Sequence, residues 1–171
     1  MSFFSESRQF ETKEERKQRI QSAFQQFDKN RNGTIEIDEI VQSLTALFKI
    51  ENHPALETYQ KFFRIIFKMC DKGNFFKRKD GVLNLQEFER IADAMPDIIS
   101  RDVKTDIAKM IFNIIDANKS KRISKKETAR FLKYSDLSEK SMNEFIAGLD
   151  KNGDGEIDFV EFLVWFEKFE F

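Results

Sequence analysis

The sequence predicts an all-α protein of about eight helices, arranged as four helix–loop–helix units. Three observations carry that expectation. One plan recurs four times: an apolar helix, an acidic loop with Ile or Leu late in it, a Glu, and a second apolar helix. Two of the loops share one twelve-residue spacing, Asp28-Lys-Asn-Arg-Asn-Gly-Thr-Ile-Glu-Ile-Asp-Glu39 and Asp150-Lys-Asn-Gly-Asp-Gly-Glu-Ile-Asp-Phe-Val-Glu161. Between the loops, apolar residues recur at helical rather than strand spacing.

Thr12-Lys-Glu-Glu15 reads as a capping box, so the first helix starts at Thr12. It carries Ile20, Ala23, Phe24 and Phe27 on one face. Leu44, Leu47 and Phe48 continue the second helix until Asn52-His53-Pro54 breaks it. Pro54 is suited to begin the third helix, which carries Phe62, Phe63, Ile66, Phe67 and Cys70. Leu85, Phe88, Ile91 and Met95 line the fourth. Pro96 then rules out one long helix through the middle of the chain and predicts a bent linker. The expected division is a first pair of units over 12–95, a linker over 96–100 and a second pair over 101–171. In the second pair the apolar positions are Val103, Ile107, Met110, Ile111 and Ile114, then Phe131 and Leu132, then Met142, Phe145, Ile146 and Leu149. The tail, Phe159 to Phe171, is aromatic on several faces. It reads as core plus a patch covered by the other half, with a partner surface as the alternative.

Composition narrows the function. Lys and Arg number 29 against 30 Asp and Glu, so no net field draws the chain to nucleic acid or membrane. A single cysteine, Cys70, excludes an internal disulfide and suits a reducing, cytoplasmic setting. No apolar run approaches the ~20 residues of a membrane span. The start of the chain lacks a signal-peptide pattern and has no Gly at position 2 for N-myristoylation. One His and one Cys on different elements offer no nucleophile–base pair, so the chain does not read as an enzyme. Twenty Phe against five Met mark a stiff aromatic core.

The two matching loops fit D-x-[DN]-x-[DN]-G-x5-E and resemble the EF-hand. From about residue 12 to residue 169 the chain resembles a four-handed calcium-binding protein of the calmodulin superfamily. The resemblance implies two pairs of hands, with short β pairing between the loops of each pair, and oxygen ligands from positions 1, 3, 5, 7, 9 and 12 of each loop, with a sharp turn at position 6. In the first hand these are Asp28, Asn30, Asn32, the Thr34 carbonyl, Glu36 through water, and Glu39. In the fourth they are Asp150, Asn152, Asp154, the Glu156 carbonyl, Asp158 and Glu161. The fourth hand has an extra carboxylate at position 5 and is expected to bind more tightly. The third, Asp116, Asn118, Ser120, the Arg122 carbonyl, Ser124 and Glu127, is expected to be weaker. There Lys121 replaces the turn glycine, and Lys119, Lys121, Arg122, Lys125 and Lys126 add positive charge.

The second hand departs from the pattern. The helix registers place its loop between Asp71 and Glu87, seventeen residues. Counting back twelve would put Phe76 at position 1, where no ligand can stand. The hand is therefore structural, with the excess in Gly73–Lys79 and Leu83 pairing with Ile35. Asp71, Asp80, Asn84 and Glu87 are its doubtful ligands. Phe75, Phe76 and the basic Lys77-Arg78-Lys79 fall in the insertion.

The expected ions are calcium at two strong sites and a weaker third, with magnesium as competitor. One His, one Trp and two Tyr are too few for the chromophore pocket of the related photoproteins. The resemblance leaves three roles: a calcium sensor gripping a target helix in a Phe-rich groove, a compact buffer like the sarcoplasmic calcium-binding proteins, and a regulatory subunit like calcineurin B. The sensor is favoured, with the buffer next.

Overall fold

The computed structural model describes residues 11–71, 80–135 and 147–168. The inserted stretch with Phe75, Phe76 and Lys77-Arg78-Lys79 lies outside the described residues, as do Met142, Phe145 and Ile146. Among the described residues, seven helices and four two-residue strands follow in order. They are α1 (Lys13–Phe27), β1 (Ile35–Glu36), α2 (Ile37–Phe48), α3 (Leu56–Cys70), β2 (Val82–Leu83), α4 (Leu85–Ala94), α5 (Val103–Ile115), β3 (Ile123–Ser124), α6 (Lys125–Leu132), β4 (Glu156–Ile157) and α7 (Phe159–Lys168). Residues 147–149 are also helical and run into the last loop.

Local chemistry sets most helix ends. Thr12 caps α1 in a full capping box: its hydroxyl accepts the Glu15 N–H at 3.2 Å, and Glu15 accepts the Thr12 N–H at 2.8 Å. α2 stops earlier than Asn52-His53-Pro54, because Lys49 turns left-handed at φ 54° and its N–H returns to the last turn. Pro54 does not begin α3. It sits in a turn, and Ala55 is the N-cap, its N–H donated to His53 Nδ1 at 3.0 Å. The exposed His53 thus closes the connection before the helix starts. α4 ends at Ala94, and Met95 is extended at ψ 139°, the conformation a following proline enforces. α5 resumes at Val103, with Asp102 accepting the Thr105 N–H at 3.1 Å.

The four strands form two antiparallel pairs. Ile35 faces Leu83 in the first, and Ile123 faces Ile157 in the second. All four side chains are almost fully buried, so each pair ties two loops through its apolar positions. Around the first pair, Phe88 packs on Phe24 and Phe27 at centroid distances of 5.7 and 5.1 Å.

The two pairs of units share one core. Phe62 on α3 is 1% exposed. Its ring lies 5.0 Å from Phe166 and 5.9 Å from Trp165 on α7, and 6.4 Å from Phe131 on α6. Tyr59, one turn earlier, stacks on Phe166 at 6.2 Å. The described part of the aromatic tail, residues 159–168, is therefore core packed against the first pair, with Val160 and Val164 exposed; Phe169 and Phe171 lie outside the described residues. Cys70 is completely buried within the same core.

Two arginines join the pairs by a reciprocal contact. Arg90 of α4 donates to the Ile114 carbonyl at the end of α5. Arg130 of α6 donates to the Met69 carbonyl at the end of α3, at 2.8 Å. Each arginine follows a loop-closing Glu by three residues, and each carbonyl precedes a loop-opening Asp by two. Both carbonyls belong to a helix's last turn, where no intrahelical donor remains, and a cation there also opposes the helix dipole. Burial pulls the Arg90 guanidinium below its ordinary range, against the attraction of Glu127 and Asp116.

Candidate metal centres

Three loops are built on one hydrogen-bond frame. At position 1, Asp28, Asp116 and Asp150 accept the position-6 N–H of Gly33, Lys121 and Gly155 at 2.9, 2.8 and 2.9 Å. At position 12, one oxygen of Glu39, Glu127 and Glu161 accepts the amides of positions 2 and 3. These are Lys29 and Asn30, Ala117 and Asn118, and Lys151 and Asn152, at 2.8–3.3 Å. The other oxygen accepts the position-9 N–H of Glu36, Ser124 and Asp158, at 3.0, 3.0 and 3.1 Å. The closing Glu thus ties the exit helix to the start of its own loop.

The amides at positions 3 and 5 turn inward in the same way. Asn30 Oδ1 accepts the Asn32 N–H at 2.9 Å, and Asn32 Oδ1 accepts the Thr34 N–H at 2.8 Å. Asn118 and Asn152 repeat the first of these contacts with Ser120 and Asp154. In the third loop the Ser120 hydroxyl donates to the Arg122 carbonyl at 2.8 Å. Asp28, Glu39, Asp116 and Glu127 are buried, whereas Asp150 and Glu161 are half-buried. Burial works to raise the Glu127 carboxyl. The Ser124 hydroxyl and the amides of Ser124, Ala117 and Asn118 outweigh it and hold the group below the carboxylate range. Among the described residues, no three His, Cys, Asp or Glu side chains converge tightly enough to hold a metal ion by themselves. Asn, Ser and carbonyl oxygens make up the rest of each donor set.

The second loop keeps part of the frame. Asp71 accepts the Gly81 N–H at 3.3 Å, across ten residues instead of five. Asn84 accepts the Glu87 N–H at 3.0 Å, and Glu87 accepts the Asn84 N–H at 3.1 Å. Gly81 is left-handed at φ 80°, as position 6 requires. Asp71 and Gly81 therefore occupy positions 1 and 6, and the surplus chain lies between them. Asp80 spends one oxygen on the Val82 N–H at 3.3 Å.

Sequence reasoning missed three things here. Position 9 is the N-cap of the exit helix: Asn84, Ser124 and Asp158 accept the N–H of the closing Glu. Ser124-Lys-Lys-Glu127 carries that signal openly as a capping box. Position 4 is left-handed too, at Arg31, Lys119 and Gly153. Third, Arg122 crosses to the fourth loop, where its Nη1 donates to Asp154 Oδ2 and lies 3.7 Å from Glu156 Oε2. The Glu156 N–H first, and the Arg122 guanidinium next, hold the Asp154 carboxyl below its ordinary range.

Lys121, standing where the other loops have the turn glycine, is left-handed at φ 67°, a strained conformation for a residue with a side chain. Lys121→Gly should stabilise the metal-free protein by up to about 1 kcal/mol, less what glycine gives to the unfolded chain. Thermal melting in chelator reads this, and a lower melting temperature would contradict it.

The profile of the EF-hand domain pair matches residues 17–92 and 104–167. The probable calcium-binding protein CML13 of Oryza sativa subsp. japonica is 30% identical over 151 residues, covering 87% of this chain and 80% of that one. Centrin-3 of Homo sapiens is 26% identical over 156 residues, covering 90% and 84%. Among solved structures, the photoprotein berovin of Beroe abyssicola in its Ca2+-loaded apoprotein state aligns with a TM-score of 0.40 and 16% identity, over 88% of this chain and 85% of that one. Among the described residues no helix is long and apolar enough to cross a membrane.

Proposed function

This chain belongs to the EF-hand domain-pair family, and from that premise we propose that it binds calcium and works as a compact calcium buffer. Asp28, Asn30, Asn32, the Thr34 carbonyl and Glu39 would hold the ion in the first hand. Asp150, Asn152, Asp154, the Glu156 carbonyl and Glu161 would do so in the fourth. Asp116, Asn118, Ser120, the Arg122 carbonyl and Glu127 form a weaker third set. All these donors are oxygens, the set a hard divalent cation takes. Calcium supplies only fixed double positive charge there. The protein's part is to hold the oxygens in place, which the closing Glu and the position-1 Asp do by anchoring the loop amides. Magnesium competes for the same oxygens. In the second hand, Asp71, Asp80, Asn84 and Glu87 do not form a regular ligand set, and the hand's function is to supply Leu83 to Ile35.

The observation that carries the buffer role is the packing of Phe62 against Phe131, Trp165 and Phe166. It covers with the second pair the Phe-rich face a sensor would offer to a target helix. The sensor is the second reading, supported by the half-buried Trp165 on α7, which carries Glu161 in its first turn, where ion occupancy can reach the shared core. Calorimetric calcium titration with a hydrophobic dye in parallel separates the two. Two strong binding events without dye uptake are expected, with Glu161→Gln removing one and Glu39→Gln the other. A large, chelator-reversible rise in dye signal would move the assignment to a sensor.

A further inference from the structure

We propose that Arg122 of the third hand sets the calcium affinity of the fourth hand, by holding the carboxylate which that loop presents at position 5. The inference rests on the fourth hand being an ion site. The register of β3 and β4, Ile123 to Ile157 and Ser124 to Glu156, brings Arg122 alongside the fourth loop. Its guanidinium takes Asp154 Oδ2, while Asp154 Oδ1 accepts the Glu156 N–H at 2.9 Å. Both oxygens of the carboxylate are thus engaged. An ion that uses Oδ2 must displace a guanidinium, and the displaced cation stays tethered nearby.

A second cation sits over the same turn. A Cβ built on Gly155 would meet Lys125 Cε at 3.5 Å and Nζ at 3.7 Å. The positive charge of the third loop is therefore directed at its neighbour as well as at itself. At the matching places of the first pair, position 7 of the first loop is the uncharged Thr34 and position 5 of the second is Asp80, so that carboxylate has no guanidinium opposite it at position 7. The extra carboxylate that should make the fourth hand the tightest is the one that Arg122 holds. Arg122 is 44% exposed in its side chain and Asp154 34%, so the pair is solvent-screened and its grip modest.

The test is a calcium titration of the whole chain by calorimetry, at about 0.15 M ionic strength, with wild type, Arg122→Gln, Asp154→Asn and the double variant. Arg122→Gln should tighten the fourth site about threefold to fivefold, the upper range of an exposed ion pair. In the Asp154→Asn background the same change should have little effect. Unchanged or weaker affinity in Arg122→Gln overturns the proposal. An equal gain in the Asp154→Asn background also overturns it, since that would mark a diffuse charge effect without the specific contact. A metal-free readout stands beside these. In chelator-treated, 15N-labelled protein, the Arg122 side-chain Nε resonance should shift when Asp154 becomes Asn, and an unmoved resonance denies the contact. Glu161→Gln in the same series separates the two levels. If it removes no binding event, the fourth hand is not an ion site and the inference falls with it. If it removes one while Arg122→Gln changes nothing, only the role of Arg122 falls.

Discussion

Phe62→Ala should destabilise the protein by about 3–5 kcal/mol, the range for truncating a buried phenylalanine. The ring is 1% exposed and meets aromatic side chains from two helices of the other pair of hands. The hole it leaves cannot close by local repacking, because its walls belong to α3, α6 and α7. For a chain of this size the loss should lower the melting temperature on the order of 10 °C. The unfolding transition should also broaden or split, since the lost contact couples the two pairs. Hydrophobic dye should bind the variant without calcium. A loss below about 1 kcal/mol would show that the ring is not a seam between the pairs.

Leu83→Asp should be at least as damaging, about 4 kcal/mol or more, because it buries a carboxylate at a fully enclosed apolar position. Leu83 and its cross-strand partner Ile35 are both 0% exposed. The effect should also reach a site that Leu83 does not touch. Ile35 stands between Thr34 and Glu36 of the first loop, so losing its pairing frees the register that presents the Thr34 carbonyl and Glu39. Calcium affinity at the first hand should fall by tenfold or more, equivalent to at least about 1.4 kcal/mol, with the fourth hand unchanged. Val82→Thr in the same strand is the control. Its side chain is half-buried and threonine suits a strand, so it should cost under about 1 kcal/mol. Equal damage from both substitutions would point to the strand backbone rather than to the buried contact.

Features fixed by local chemistry were legible in the sequence. The capping box at Thr12, the break before Pro96 and the left-handed Lys121 need only their own neighbours along the chain. The long second loop was legible for a subtler reason. Phe67 and Cys70 hold the register of α3 and Phe88 that of α4, so Asp71 and Glu87 had to bound it, and the Asp71–Gly81 contact agrees. What stayed hidden depends on groups far apart in sequence. Arg90 and Arg130 look like solvated helix residues until α5 and α3 end beside them. Arg122 reads as one more basic residue of a basic loop until the strand pairing aims it at Asp154. The start of α3 was misplaced because His53, more than Pro54, organises the turn. The aromatic tail left a choice between core and partner surface, since periodicity shows which face is apolar but not what lies against it.

The exchange between Arg90 and Arg130 bears on how this chain can be recombined with its relatives. The intuitive cut for a chimaera is the stretch around Pro96, which keeps each pair of loops whole. Such a cut would part each arginine from the carbonyl it serves, since Arg90 reaches forward to Ile114 and Arg130 reaches back to Met69. The portable cassette is instead the inner span from Met69 to Arg130, which contains both donors and both acceptors. A hybrid that exchanges this span intact keeps both helix ends satisfied. One that splits it still offers main-chain carbonyls, but keeps the contact only where each half brings its own arginine.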